Sequence, residues 1–554
     1  MPTDASVEGG LDEPTELEPD QGSLALADPA DDHTRADWEA AAAAVLRKAG
    51  RLAEDDGDDL VWERLTRTTL DGLAVPPLGT PDLLEELTTS GRPTRAAGWH
   101  VRTRVADNET ALADLDTGAT ALTVPATADL EALLEGVLLD LAPVVVDAGD
   151  ATSARAFLAV LADTTPADGT NLGVAATGAD LVEVARLARD AGVLAAVVDG
   201  TAVHDAGASD VQELGRVLAD AAAYLRTLSG AGFSVDEAAG LVEFRLSATD
   251  HQFPTIAKLR AVRRLWARMQ ELSGVDAPVP MRLHVVTSRA MLSRYDPWVN
   301  MLRTTVAAFA AGVAGADAVT VVPFDSPLGE PDAFGRRIAR NTSHLLMSES
   351  HLGRVADPAG GSYAVEKLTD DLAVAAWAEL GRIEADGLDA FDARVAETVA
   401  ARDRAVATRK QPLTGLTEFP NLAETLPERS GEGDDVRRWG AAFEALRAEP
   451  ATSPVLLATL GPVSAHTARA TFATNLLAAG GIAVTSEPDG ARVAVVAGTD
   501  AAYDEEGAAR AASLREAGVG WVVVAGRPRD WADDSCALGV DALDFLTRTK
   551  ERLS

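Results

Sequence analysis

The residue types in this chain that could do chemistry are its few histidines, its arginines and its many carboxylates. His344 and His351 lie seven apart with Glu349 between them, on a predicted helix. Two imidazoles two turns apart seldom share one metal ion, because helical ligand pairs sit closer, so this pair reads as structural. Lys258, Arg260, Arg263, Arg264 and Arg268 form a basic run that could hold a phosphate. At helical spacing the run spreads around the helix, and ion pairs with the chain's own acids are the expected use. Cys536 is the single cysteine, which excludes an internal disulfide and any multi-cysteine metal site. There is no Gly-x-Ser-x-Gly elbow, and no glycine-rich phosphate loop follows a strand in the right context.

The elements that must position these residues follow from composition and periodicity. The 554 residues are 47% apolar, too many for one ordinary domain and enough for large buried cores. A formal charge of -37 argues against nucleic acid and anionic membrane surfaces as partners, since both need a basic footprint. The chain has no uninterrupted apolar run of membrane-spanning length, and its acidic start lacks the basic and apolar regions of a signal peptide. A reducing cytoplasm is the expected compartment.

Residues 1–36 are acidic and read as a disordered tail. Trp38, Ala42, Val45 and Leu46 recur at helical spacing, while Val61–Leu65 running into Asp71-Gly72 and Pro76-Pro77 reads as extended and turn-rich. Residues 37–98 are thus expected to form a helical and extended arm. From 99 to 406, eight short apolar runs alternate with helix-length amphipathic stretches. The clearest helix starts at Ser209, which has capping-box spacing to Gln212. Eight buried strands in succession predict a closed (β/α)₈ TIM barrel over an open doubly wound sheet. Residues 407–452, with Pro412, Pro420, Pro427, Gly431 and Gly433, read as a linker, and 453–554 as a flavodoxin-like βαβ domain.

Several segments of this α/β chain resemble the methylmalonyl-CoA mutase family. They are Tyr295-Asp-Pro-Trp-Val-Asn-Met-Leu-Arg-Thr-Thr305, Arg336-Arg-Ile-Ala-Arg-Asn-Thr342 and Asp357-Pro-Ala-Gly-Gly-Ser-Tyr-Ala-Val-Glu366. Phe253–Trp266, Asp205-Ala-Gly-Ala208 and Thr414-Gly-Leu-Thr-Glu-Phe-Pro420 add to them, in family order. Part of their content is architectural: Asp357-Pro358 before Gly360-Gly361 is turn chemistry, and Arg340 and Asn341 are expected to cap loops at a barrel mouth.

The resemblance also says where reactive residues should stand, and three such positions are altered. The family's cobalt ligand belongs to Asp-x-His-x-x-Gly after the first strand of the C-terminal domain. Here that loop reads Thr459-Leu-Gly-Pro-Val-Ser-Ala-His-Thr-Ala-Arg469. Aligned on His466, it has Ser464 for the acid and Arg469 for the glycine; aligned on Gly461, it has Ala465 for the histidine. Either way the ligand set fails, since an axial imidazole needs an acid behind it. His466 then reads as a surface loop residue, and Gly526-Arg527 replaces two glycines that would let a nucleotide tail approach.

The barrel histidine that meets the substrate thioester is matched by Ala202, with His204 displaced by two residues. At a strand end that shift moves a ring roughly 6.6 Å along the chain. The family's Trp-x-x-Arg-Gln-Tyr is matched by Trp99-His-Val-Arg-Thr-Arg104, which keeps Arg102 and replaces the tyrosine by Arg104. An arginine there is expected to fill the barrel and pair internally.

The resemblance therefore implies a non-catalytic small subunit of the heterodimeric mutase. Its partner is a homologous large catalytic chain that interconverts succinyl-CoA and (R)-methylmalonyl-CoA. Adenosylcobalamin and the acyl-CoA substrate are bound by that partner, and no residue here is assigned a catalytic, cofactor-binding or metal-ligating role. The alternatives are a self-sufficient acyl-CoA mutase with His466 as an atypical cobalt ligand, and a free-standing CoA-binding or regulatory protein.

Overall fold

The structure is a computed structural model that describes residues 32–85, 87–91, 98–433, 435–488 and 490–554. Most of the expected acidic tail lies outside the described residues. The chain divides into two compact units, residues 1–67 with 74–77, and residues 68–73 with 78–554.

In the first unit, helix α1 (Arg35–Lys48) starts at a capping box between Thr34 and Asp37. Ala43, Leu46, Leu52 and Val61 make its small core. Val61–Leu65 is one helical turn, where an extended segment was expected. The turn brings the Trp62 ring to 4.7 Å from that of Trp38, and its Nε1 donates to Glu39 Oε1 at 2.6 Å. Those two contacts favour helix over the turn-rich reading.

The second unit begins its main body with a closed barrel of eight parallel strands. They are β1 (His100–Arg104), β2 (Ala121–Pro125), β3 (Val144–Asp147), β4 (Asn171–Ala175), β5 (Leu194–Asp199), β6 (Val242–Ala248), β7 (Leu283–Thr287) and β8 (Ala318–Thr320). Pairing of Ala318 with His100 closes the ring. The eight apolar runs each become one strand, and helices cover the outside, as Phe244 against Trp266 at 4.8 Å illustrates.

Register determines what faces inward. Arg102 pairs with Ala121, Arg104 with Thr123, Val197 with Glu243, Asp199 with Arg245, and Arg245 with His284. Because Phe244 points out to a helix, its neighbours Glu243 and Arg245 point in. The lumen is therefore polar, unlike the branched aliphatic filling usual in such barrels.

Helix α2 (Thr201–Asp205) follows β5, and α3 (Asp210–Gly230) starts at the expected capping box of Ser209 and Gln212, with Val211, Leu214, Leu218, Leu225 and Leu228 buried. Then come α4 (Gln252–Ser273), α5 (Pro297–Val313) and α6 (Ala333–His344). The expected single helical stretch around 372–406 is two helices, α7 (Tyr363–Asp386) and α8 (Leu388–Ala407), parted by Gly387 at φ 83°.

The segment read as a linker is packed. Glu330 N donates to Ser430 O, and α9 (Ala441–Ala448) buries Phe443 while Glu444 accepts from the Arg294 amide at 3.0 Å. The C-terminal sheet comprises β9 (Val455–Thr459), β10 (Val484–Thr485), β11 (Val493–Ala497), β12 (Trp521–Ala525) and β13 (Asp534–Cys536). Its order is β10-β9-β11-β12-β13, all parallel, which is the flavodoxin-like 2-1-3-4-5 arrangement. Helix α10 (Val463–Ala479) follows β9.

Candidate functional site

Two places in this fold ordinarily take ligands: the C-terminal mouth of the barrel, and the crevice at the C-terminal ends of the second sheet. In the barrel, Arg102 reaches across to Glu243 with Nη1 on Oε1 at 2.7 Å and Nη2 on Oε2 at 2.9 Å. His284 Nε2 meets Thr320 Oγ1 at 2.8 Å. Burial, then Arg102 and Arg245, push the His284 imidazole well below its ordinary pKa, so the ring is neutral. Nearer the mouth, Arg245 Nη1 donates to Asp147 Oδ1 at 2.8 Å and Asp199 Oδ2 at 3.1 Å. Burial raises the Asp147 carboxyl, but Arg245 and Arg104 outweigh it and hold it below its usual range.

Arg104 does not fill the barrel, as the sequence suggested. Its side chain is 65% exposed and reaches back to Asp147 at 3.3 Å. As the last residue of β1 it stands at the rim, where water solvates the guanidinium at little cost.

His204 is also placed differently from the expectation. Thr201–Asp205 is helical, so two positions turn the side chain by about 200° instead of sliding it along a strand. Ala202, matched to the family's histidine, is consequently exposed, while His204 is buried. Its Nε2 lies 2.7 Å from Ser288 Oγ and its Nδ1 3.6 Å from Glu213 Oε2. Glu213 in turn accepts from Lys258 Nζ at 2.7 Å and from the Ser247 amide at 2.8 Å. Ser288 is 1% exposed, so this Ser–His–Glu series ties the end of β7 to α2 and α3 away from solvent.

Other motif residues make ion pairs within the chain. Arg260 Nη2 contacts both Asp357 Oδ2 at 2.9 Å and Glu366 Oε1 at 2.7 Å, and Arg264 joins Glu366. Arg263 reaches Asp317, and Arg268 pairs with Glu271. Every cation of the basic run thus has an acidic partner. Arg340 is no loop cap: it sits within α6 and pairs with buried Asp114, while Asn341 is exposed on the same helix. A salt bridge to a helix elsewhere is a use that local motif reading cannot show. His344 Nε2 binds Gly118 O at 2.8 Å, and His351, at φ 54°, lies beyond the end of the helix.

In the C-terminal domain, His466 is in the first turn of α10, not in the loop, because the helix begins at Val463, directly after Pro462. Its Nδ1 lies 3.3 Å from Gly461 O. The crevice beside it contains the chain's own side chains. The Gly498 amide donates to Tyr503 Oη at 2.9 Å, and Tyr503 Oη donates to Ala525 O at 2.7 Å. Arg469 lies 5.0 Å from the tyrosine ring and donates to Gly498 O at 2.8 Å and Asp500 Oδ1 at 2.9 Å. A Cβ at Gly526, φ 152°, would come 3.5 Å from the Arg469 guanidinium carbon. Cys536 is buried on β13, and burial pushes its thiol up to about 12.

The residues that sequence reasoning passed over are Asp147, Asp199, Glu243, Arg245 and His284. The signal was present in Val-Glu-Phe-Arg-Leu-Ser-Ala248, where charges alternate with apolar residues inside a strand and so share one face.

Comparison with known proteins agrees with this architecture. The family model described as methylmalonyl-CoA mutase matches residues 191–453. A Streptomyces virginiae protein named methylmalonyl-CoA mutase small subunit is 43% identical, with 97% of this chain and 99% of that protein covered. A Mycobacterium tuberculosis protein named probable methylmalonyl-CoA mutase small subunit is 40% identical, covering 91% and 94%. The small subunit from Propionibacterium freudenreichii subsp. shermanii is 33% identical, covering 89% and 90%.

Proposed function

Because the chain belongs to the family of methylmalonyl-CoA mutase small subunits, we propose that it is the non-catalytic partner of a larger mutase chain. The relatives' name, small subunit, implies that larger partner. The complex interconverts succinyl-CoA and (R)-methylmalonyl-CoA by adenosylcobalamin radical chemistry, and the larger chain holds both cofactor and substrate. This chain supplies stability and assembly, with residues 37–98 as contact arm and the barrel as scaffold. Its single, deeply buried cysteine suits a reducing cytoplasm, and no described helix is long and apolar enough to cross a membrane.

The observation that carries the non-catalytic reading is Tyr503, buried across the ends of β11 and β12 with Arg469 against its ring. A corrinoid with its nucleotide tail needs that crevice open and an acid-backed imidazole at its edge. His466 has Ser464 two residues earlier, where the acid belongs, and its ring meets a backbone carbonyl. The residues present do not fit the group. In the barrel, Ala202 and Arg104 replace the two side chains that would meet substrate.

The test is spectroscopic titration of the isolated chain with adenosylcobalamin. The expected result is an unchanged cobalamin spectrum with no saturable binding. Base-on binding, abolished by His466→Ala, would overturn the reading in favour of a self-sufficient mutase.

A further inference from the structure

Residues 68–73 fold with the second unit, although the chain on either side of them, up to Arg67 and from Ala74 to Pro77, belongs to the first. They form the tip of a small hairpin between the paired strands Arg67–Thr68 and Ala74–Val75. Thr69 shapes the tip: its Oγ1 accepts from the Asp71 amide at 3.2 Å and from the Leu73 amide at 3.1 Å. Leu70 is 43% exposed and Gly72 is exposed, so the tip buries little apolar surface of its own. Its anchor is polar instead. Asp71, the only charged residue from Thr68 to Val75, accepts from Ser209 Oγ and places Oδ2 3.4 Å from the Val211 amide. The carboxyl therefore sits over the first turn of α3.

Two charges face it there. Asp210, at the start of α3, opposes a negative Asp71, and Arg402, from α8, favours one. Arg402 is committed elsewhere, with Nη1 on Gly207 O at 2.6 Å and Nη2 on Ala208 O at 3.2 Å. Asp210 keeps its charge: burial raises its carboxyl, but Lys258, with Nζ at 3.0 Å, outweighs that and holds it below the usual range. Burial, with Asp210 adding to it against the Ser209 bond, pushes the Asp71 carboxyl up to about 6.

We propose that Asp71 is a proton-operated latch: protonated, it seats the hairpin tip on the start of α3, and ionised against Asp210 it lets the tip loosen. The sign follows from linkage. A raised carboxyl favours the seated tip most below its ordinary value of 3.8, and that preference is lost as pH rises through about 6. The latch grips Ser209, directly after the Gly207 and Ala208 carbonyls that Arg402 holds. All of these contacts lie inside the second unit, so the latch is independent of the subunit reading above.

The experiment is hydrogen exchange of the full-length chain from pH 5 to pH 8, read by mass spectrometry and corrected for the intrinsic pH dependence of exchange. Protection of peptides covering residues 66–75 should fall about tenfold across that range. Asp71→Asn keeps an acceptor for Ser209 and cannot ionise, so its protection should stay level. Asp210→Asn removes the opposing charge while keeping an acceptor for Lys258; it should shrink the fall, and serves as the second handle should Asp71→Asn misfold. Level protection in the wild-type chain, or a full fall in both variants, would overturn the latch. An equal fall in peptides from the barrel strands would assign the change to the whole fold and overturn it as well.

Discussion

Arg102 and Glu243 make a two-point ion pair across the inside of the barrel, at 2.7 and 2.9 Å, with side chains 3% and 4% exposed. Each charge is tolerable there only because the other is present. Removing one leaves the second buried and unpaired, which costs about 3–5 kcal/mol. Arg102→Met and Glu243→Leu should each lower stability by that order, while the double variant should recover most of it. Chemical unfolding at neutral pH measures this; additive losses in the double variant would contradict the pair's role.

A second prediction concerns Tyr503, whose hydroxyl accepts from the Gly498 amide and donates to Ala525 O. Tyr503→Phe leaves the Gly498 N–H and a carbonyl without partners at a buried site. The expected loss is about 1–3 kcal/mol, accompanied by faster amide exchange at the ends of β11 and β12. Unchanged exchange there would mean the tyrosine does not hold the crevice shut.

Glu366 gives an acid-side prediction. Burial raises its carboxyl, but hydrogen bonds from Arg260 and the Gly361 amide outweigh that and hold it at about 2. A depressed carboxyl contributes stability that is fully present above its ordinary value near 4.5 and is lost as pH falls toward 2. Glu366→Gln should therefore be less stable at pH 7, with the gap to wild type closing over that window. Unfolding midpoints measured across pH 2–7 check the slope.

Asp71 works in the opposite direction. Its carboxyl accepts from Ser209 Oγ at the start of α3, yet burial, with Asp210 nearby, pushes it up to about 6. A raised carboxyl favours the folded state below its ordinary value of 3.8, and that contribution disappears as pH rises through 6. Asp71→Asn should match wild type near pH 4 and exceed it near pH 8. Equal stability of the two proteins at pH 8 would contradict a strained Asp71 carboxylate.

Much of the scaffold was legible because burial writes itself locally. Eight apolar runs became eight strands, and the Ser209–Gln212 spacing became a capping box, since both depend on neighbours in sequence. What escaped depended on distant partners or short elements. Arg260 finds Asp357 and Glu366 about a hundred residues away, which spacing cannot reveal. Asp534–Cys536 is a three-residue edge strand rich in polar atoms and gives no alternation to read. His204 was misplaced because a five-residue helix after β5 replaced the assumed strand end, and the orientation of a side chain turns on that distinction.

On the reading proposed above, this chain supports a catalytic partner without doing chemistry itself. The most direct test of that reading is co-expression with the larger mutase chain, and expression of each chain alone, followed by an adenosylcobalamin-dependent methylmalonyl-CoA isomerisation assay. The two chains should co-purify, this chain alone should turn over nothing, and the larger chain should be less active or less stable without it. Turnover by this chain alone, or a larger chain indifferent to its absence, would contradict that reading.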